Sequence, residues 1–225
     1  MESPLLLFTC ILSALVATGF SLSCSECSSE DVKSCKGTVV QCPSDSDVCV
    51  AINEISVYGN QERNLYRRFC GSRALCNLKE SLTGADATVL IGSSCCFTNN
   101  CVPSLPMVPQ TKSEKNGVIC KECQGFDDKP CISSNARECT GDENQCVSLT
   151  TRSSMLLVNK DSTDSSLKSL SGCGTQRLCN LTEVNIKIGG EEEHIQFSCL
   201  QGSGNIPHSL FLLIFAPMFL VKIFG

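Results

Sequence analysis

The sequence predicts an all-β protein that consists of two tandem, small, disulfide-rich domains. Nineteen of its 225 residues are cysteine, a fraction that in an exported chain indicates a disulfide scaffold. The spacing of the cysteines occurs twice along the chain. Short alternating apolar runs separated by glycine and asparagine predict strands and turns, and no segment has a long amphipathic helical period.

The N-terminal segment, residues 1–21, predicts a secretory signal peptide. Its apolar run, residues 5–16, is shorter than the about 20 residues of a membrane span, and small residues follow it. Cleavage after Ser21 places Gly19 and Ser21 at the −3 and −1 positions. Cleavage also removes Cys10 and leaves 18 cysteines, an even number that allows every one of them to pair.

The C-terminal segment predicts a glycosylphosphatidylinositol (GPI) attachment signal. Residues 210–224 form an apolar run that Pro217 interrupts. A helix of this length would span about 22 Å of the roughly 30 Å hydrocarbon core, although a short transmembrane helix is the alternative. Gly202 or Ser203 is the predicted attachment residue, residues 203–225 are the propeptide, and the protein is expected on the extracellular face of the plasma membrane.

A duplicated cysteine frame occupies the mature chain. Residues 70–78, CGSRALCNL, match residues 173–181, CGTQRLCNL. Residues 24–27, CSEC, match residues 120–123, CKEC. The remaining matches are Cys35 with Cys131, Cys42 with Cys139, and Cys49 with Cys146. The repeat predicts one domain at residues 22–101 and another at 120–202, separated by a semi-rigid proline-rich linker at 102–119.

Strand and turn patterns occur within both repeats. Apolar residues flank Tyr58-Gly59-Asn60, which predicts a β-hairpin turn, and residues 88–91 predict a further strand. Residues 184–188 alternate at period two, Gly189-Gly190 predicts a turn, and residues 194–197 predict the returning strand. The acidic run Glu191-Glu192-Glu193 predicts a solvated loop.

The cysteine spacing of the first repeat is also typical of a known family. The repeat begins Leu22-Ser23-Cys24-Ser25-Glu26-Cys27 and ends with Cys95-Cys96, four residues and Cys101. Ten cysteines with these two signatures resemble the three-finger domains of the lymphocyte-antigen-6/urokinase-receptor family, and the resemblance covers residues 22–199. Two tandem domains, the first with ten cysteines, look most like the gamma-class phospholipase inhibitors of serum and their cell-surface relatives.

The resemblance implies a disulfide pairing that the spacing alone leaves open. In the first domain the implied pairs are Cys24–Cys49, Cys27–Cys35, Cys42–Cys70, Cys76–Cys95 and Cys96–Cys101. In the second domain they are Cys120–Cys146, Cys123–Cys131, Cys139–Cys173 and Cys179–Cys199. Leu200 and Asn205 stand where the first domain has Cys96 and Cys101, so the last small loop is missing there.

Composition and motifs disfavour several classes of function. A net charge of −5 and a pI near 5.1 argue against a nucleic-acid partner. The two Cys-x-x-Cys motifs have zinc-ligand spacing, but an even cysteine count behind a signal peptide favours disulfides. No nucleophile–base pair or phosphate loop is apparent, so we expect no catalytic residues, no metal and no cofactor.

The resemblance implies that the fingers and the sheet faces bind proteins. The predicted second finger of the first domain contains both tyrosines and three arginines, the residue types that are enriched in interface hot spots. The predicted partner-binding residues are therefore Tyr58, Arg63, Tyr66, Arg67 and Arg68. The alternative is a solvated hairpin with tyrosine on the sheet and arginine directed outward.

The sequence also contains one N-glycosylation sequon, Asn180-Leu181-Thr182, which predicts a glycan on Asn180 unless the sequon is unused. These observations together predict a noncatalytic, GPI-anchored cell-surface protein that binds an extracellular protein partner as an adhesion or receptor module. It would contact the membrane through its lipid. The alternative function is a secreted inhibitor of secretory phospholipases.

Overall fold

The computed structural model describes residues 21–30, 34–126, 131, 135–153 and 167–200. The predicted signal peptide, except Ser21, and the predicted GPI signal lie outside these residues. The strands are β1 (Ser23–Ser29), β2 (Thr38–Gln41), β3 (Val48–Tyr58), β4 (Gln61–Gly71), β5 (Lys79–Gly84), β6 (Ala87–Cys96), β7 (Lys115–Phe126), β8 (Asn135–Thr140), β9 (Gln145–Ser153), β10 (Leu167–Gly174), β11 (Glu183–Ile188) and β12 (Glu191–Leu200). A 3-10 turn (Arg73–Leu75) and the four-residue helix α1 (Leu178–Leu181) complete the described elements. The predicted all-β class is confirmed.

Both repeats fold as three consecutive antiparallel hairpins. The strands of the first unit follow the order β5-β6-β3-β4-β1, and those of the second follow β11-β12-β9-β10-β7. The predicted turn between β3 and β4 is present, with Gly59 at a φ of 55°. The turn between β11 and β12 has Gly189 and Gly190 at positive φ, a conformation that glycine adopts without a steric cost. The duplicated sequence therefore encodes a duplicated topology.

Nine disulfides lie within the described residues, and each joins two cysteines of the same unit. The bonds are Cys24–Cys49, Cys27–Cys35, Cys42–Cys70, Cys76–Cys95, Cys96–Cys101, Cys120–Cys146, Cys123–Cys131, Cys139–Cys173 and Cys179–Cys199. This is the pairing that the family resemblance implies. Most of these cysteines are buried and form a compact cluster at the base of each unit, where the fingers diverge.

The sheet is continuous from one unit to the other, a connection that the two-unit interpretation of the sequence did not include. One edge of β10 is shared by two strands, since its first part pairs with β7 and its end pairs with β5. The register places Cys173 opposite Thr83 and Gly174 opposite Leu82. We call this contact of β5 with β10 the seam.

The two units also share a hydrophobic core. Its buried members come from β3 to β6 of the first unit and from β9 to β12 of the second, and they include Val50, Phe69, Leu82, Leu149, Leu170, Ile186 and Phe197. The sheet curls so that β11 contacts β4 and β1. At that closure the backbone N–H of Gly189 donates to the Glu26 carboxylate at 3.4 Å. The two units therefore bury apolar surface together.

The first part of the predicted linker is packed against the first unit rather than suspended between the units. Pro103 and Pro106 are buried, and the Ser94 hydroxyl donates to the Ser104 carbonyl. The Met107 carbonyl lies so close to Gly92 that a Cβ there would be 2.4 Å from its oxygen. Strand β7 begins at Lys115, five residues before the predicted start of the second domain.

Candidate protein-binding site

The two tyrosines of the second finger pack towards the interior of the protein. Tyr66 on β4 is buried, and Tyr58 at the end of β3 is half-buried against the shared core. Burial, together with the negative charge of Glu54, raises the pKa of Tyr58 to about 12. These positions agree with the alternative in which the tyrosines lie on the sheet, and their side chains offer little surface to a partner.

Arg67 projects into the space between the two units, which contradicts its predicted role at an exposed interface. It is paired with Ile52 in the β3–β4 register, so it shares the face of the sheet that covers the core. The residue is only 6% exposed, and its guanidinium donates to Glu54 at 3.0 Å and also to Glu193. The Arg67 side chain therefore joins the second finger to β12.

The ion pair with Arg67 also corrects the expected solvated loop at residues 191–193. Glu191 begins strand β12, and Glu193 pairs in register with Ser153 of β9. Two carboxylates beside one buried guanidinium provide the charge compensation that a desolvated arginine requires. The signal for this contact is a register between distant strands, which no local sequence pattern contains.

The remaining two arginines of the predicted set differ in exposure. Arg68 is half-buried, and its guanidinium donates to Cys27 Sγ at 3.2 Å and to the Cys35 carbonyl at 2.6 Å. Arg63 is exposed and forms an ion pair with Glu30 at 3.1 Å. Of the five residues predicted to bind a partner, Arg63 alone presents its side chain freely to solvent.

Exposed apolar side chains concentrate instead on the Cys96–Cys101 loop and the first part of the linker, a feature that the sequence interpretation missed. Six large apolar residues are exposed in the part of the chain that the structure describes, and four of them lie between residues 97 and 107. These four, which we call the linker ridge, are Phe97 (57% exposed), Val102 (65%), Leu105 (51%) and Met107 (69%). The prolines between them, at 103 and 106, are buried, so the alternation of proline with apolar residues could have indicated the ridge.

The linker ridge has two properties of a binding surface. Residues 97–111 contain no charged residue, and depletion of charge is characteristic of interface cores. The backbone is fixed by the buried prolines and by the hydrogen bond from Ser94, so binding would order little additional chain. Arg73 stacks on the Phe97 ring at 5.3 Å from the centroid and helps to hold that side chain.

The cysteines with metal-ligand spacing are all used in covalent bonds. Three groups of three sulfur atoms lie within 4.8 Å of one another in the described residues: Cys24/Cys42/Cys70, Cys49/Cys96/Cys101 and Cys120/Cys139/Cys173. Every member belongs to one of the nine disulfides. A disulfide sulfur is not the thiolate that zinc requires, so these groups are explained by packing of adjacent bridges.

A known family model matches the sequence of both hairpin units. The u-PAR/Ly-6 domain model matches residues 21–104 and again residues 116–204, which together cover most of the chain. This protein belongs to the u-PAR/Ly-6 family. The predicted family is therefore confirmed, and the described hairpins of the two units fall in the first and the second matched region respectively.

Several proteins that are similar in sequence to this chain are named as phospholipase A2 inhibitors. The chain is 28% identical over 197 residues to the phospholipase A2 inhibitor NAI of Notechis ater, covering 86% of this chain and 94% of that protein. It is 27% identical over 196 residues, with the same coverage, to a phospholipase A2 inhibitor gamma subunit of Gloydius brevicaudus siniticus. A gamma subunit of the same kind of inhibitor, from Elaphe quadrivirgata, is 26% identical over 198 residues.

The seam between the two u-PAR/Ly-6 domains is polar beside its shared core. Thr83 of the first domain donates to Glu143 of the second at 2.9 Å, and Thr175 of the second donates to Glu80 of the first at 2.6 Å. A cavity of about 60 Å³ lies next to Glu143 and has room for a few water molecules. Burial raises the pKa of the Glu143 carboxyl, and hydrogen bonds from Ser81 and Thr83 oppose the shift.

The described residues contain no helix of sufficient length and apolar character to cross a bilayer. The predicted attachment residues Gly202 and Ser203 lie beyond Leu200, outside the described residues. The sequon residues Asn180 and Thr182 lie within them, and both are exposed.

Proposed function

We propose that this protein is a noncatalytic extracellular protein that binds and inhibits a secretory phospholipase A2. The observation that supports the proposal most strongly is the similarity to phospholipase A2 inhibitors, which extends along both domains and 94% of each of two relatives. A two-domain protein whose exposed features are fingers and a rigid apolar segment is suited to binding rather than to chemistry.

The linker ridge is the proposed contact surface. A phospholipase that acts on aggregated lipid has to present an apolar surface to that aggregate. Such a surface is complementary to an exposed and preorganised apolar ridge made by Phe97, Val102, Leu105 and Met107. The net charge of −5 over the whole chain would further favour the approach of a basic enzyme.

Titration calorimetry with a purified secretory phospholipase A2 tests both the partner and the surface. The full chain is expressed in eukaryotic secretory cells and purified. Its titration into the enzyme is expected to give a saturable heat of binding. The double variant Leu105→Glu/Met107→Glu should bind at least about tenfold more weakly, because it places charge on an apolar contact, and this corresponds to about 1.4 kcal/mol.

A matched control is available on another strand. Val39 on β2 is 60% exposed, similar to the ridge residues, but lies outside residues 97–107. Val39→Glu is expected to leave the affinity within about twofold of the wild type, as for an ordinary surface substitution. Absence of wild-type binding to secretory phospholipases would contradict the proposed partner, whereas equal binding by all variants would contradict the proposed surface.

A GPI-anchored adhesion or receptor module is the second candidate function. The supporting observation is the C-terminal arrangement of small residues at 202–204, a polar spacer and the apolar run at 210–224. Treatment of intact expressing cells with a GPI-specific phospholipase C should then release the protein into the medium. A protein that remains on the cells after complete digestion, or one found entirely in the medium beforehand, would count against the anchor.

A further inference from the structure

We propose that Asn180 carries an N-linked glycan located at one end of the seam between the two domains. The acceptor motif Asn180-Leu181-Thr182 occupies the end of helix α1 and the residue after it. Asn180 and Thr182 are exposed, whereas Leu181 between them is buried. The two residues that the transferase must recognise are therefore on the surface, and the middle residue anchors the motif.

The local backbone directs the Asn180 side chain away from the core. Leu178 and Leu181 are buried in the shared core, and Cys179 is bridged to Cys199. The Asn180 backbone N–H donates to the Arg177 carbonyl at 3.0 Å, which closes the single turn of α1. Thr182 has a φ of 46°, so the chain leaves the helix abruptly at the third residue of the motif. The motif is consequently displayed on a sharp surface turn.

Arg177, on the same turn, places the motif beside the first domain. Its guanidinium donates to the carbonyls of Asn77 at 3.0 Å and Cys76 at 2.8 Å. Asn77 is the counterpart of Asn180 in the first domain, but Lys79 stands where Thr182 completes the sequon. The duplicated frame thus has two equivalent asparagines at this end of the molecule, and one of them has the acceptor sequence.

The modification is a group transfer that uses a lipid-linked oligosaccharide diphosphate as the donor. The Asn180 Nδ2 atom forms a bond to C1 of the first sugar, the bond from C1 to the diphosphate oxygen breaks, and the lipid diphosphate leaves. The amide nitrogen loses one proton in the same process. The reaction requires no oxidant and no change elsewhere in the chain.

Expression of the full chain in eukaryotic secretory cells, followed by peptide-N-glycosidase digestion, tests the proposal. The wild type should lose the mass of one glycan, and peptide mass spectrometry should find aspartate at position 180. Thr182→Ala and Asn180→Gln should migrate at the digested position without treatment. Thr182→Ser is the matched control, because it changes the same residue but preserves the sequon, and it should remain glycosylated.

Two results would overturn the proposal. One is a secreted wild-type protein whose mass is unchanged by the digestion. The other is a Thr182→Ala protein that retains the glycan, which would place the modification elsewhere. Secretion of both Thr182→Ser and Thr182→Ala into the medium shows that each variant folds, so faster migration of secreted Thr182→Ala reflects the missing glycan.

Discussion

Gly84 and Gly172 face each other across the seam, and a Cβ built on Gly172 would lie 2.7 Å from the Gly84 Cα. The same atom would be 2.1 Å from the Thr83 carbonyl oxygen, and a Cβ on Gly84 would be 2.1 Å from the Ser171 carbonyl oxygen. Backbone atoms cannot rotate away as a side chain can. Both glycines are therefore required for β5 and β10 to approach closely enough to pair.

Gly172→Ala should destabilise the protein by about 2–3 kcal/mol, the upper range for overpacking a site with no room to adjust. Gly59→Ala is the control, because its Cβ would meet nothing within 4 Å, although its φ of 55° costs an alanine about 1 kcal/mol. The free energy of unfolding, measured in guanidinium chloride with disulfides intact, distinguishes the two. A cost for Gly172→Ala no greater than that for Gly59→Ala would contradict the close approach.

The ion pair between Arg67 and Glu193 should contribute measurably to the contact between domains. A double-mutant cycle with Arg67→Met and Glu193→Gln is expected to give a coupling of about 1–2 kcal/mol, because the guanidinium is buried while Glu193 keeps some solvent contact. The exposed pair Arg63–Glu30 is the matched control, for which about 0.5 kcal/mol or less is expected. Equal coupling in the two cycles would contradict a buried role for Arg67.

Glu143 should make the stability of the seam depend on pH. Burial raises its pKa above the ordinary value of 4.5, so the folded state binds the proton more tightly than the unfolded state. The resulting stabilisation is complete below the unfolded pKa and is lost as the pH rises through the folded pKa. Glu143→Gln, which stays neutral, should therefore gain stability relative to the wild type between pH 4 and pH 7.

Chemical denaturation of both proteins at the two pH values measures this effect. The difference in unfolding free energy between Glu143→Gln and the wild type should change by about 1.4 kcal/mol for each unit by which burial raises the pKa. A difference that is the same at pH 4 and pH 7 would show that Glu143 titrates alike in the folded and unfolded states, contrary to the prediction.

The disulfides should differ in how strongly secretion depends on them. Cys24–Cys49 joins residues 25 positions apart in a buried cluster. Its loss is expected to lower the free energy of unfolding by about 3–4 kcal/mol, because the unfolded chain regains the entropy that the bridge removes. Cys96–Cys101 spans five positions and has no counterpart in the second domain. Immunoblots should show little secreted Cys24→Ala/Cys49→Ala protein and near-normal amounts of Cys96→Ser/Cys101→Ser protein, and the reverse order would contradict this ranking.

The elements of the fold are largely predictable because their determinants are local. The turn at Gly59 and the alternating residues of β11 are encoded by neighbouring positions, and the cysteine spacing carries the family resemblance. The disulfide pairing follows from that resemblance, because spacing alone allows many pairings. Local patterns and family likeness thus account for the hairpins and their bridges.

The relation between the domains could not be predicted in the same way. The position of Cys173 opposite Thr83 depends on a register between strands about ninety residues apart. The ion pair of Arg67 with Glu193 likewise forms only once the two domains are packed together. The prolines of the linker are visible in the sequence. The packing of the linker on β6 is not, because it depends on the close approach of the Met107 carbonyl to Gly92, which has no side chain. For this reason local sequence patterns placed Arg67 wrongly on an exposed surface. They also gave no prediction of the exposed linker ridge around Met107.

Inhibition of a secretory phospholipase A2 on phospholipid vesicles tests the proposed function most directly. Enzyme activity is followed while the purified protein is added from below to well above the enzyme concentration. We predict a saturable loss of activity that the Leu105→Glu/Met107→Glu variant reproduces only at about tenfold higher concentration, in line with its weaker binding. Full activity at every concentration of the wild-type protein, across several secretory phospholipases, would contradict the account.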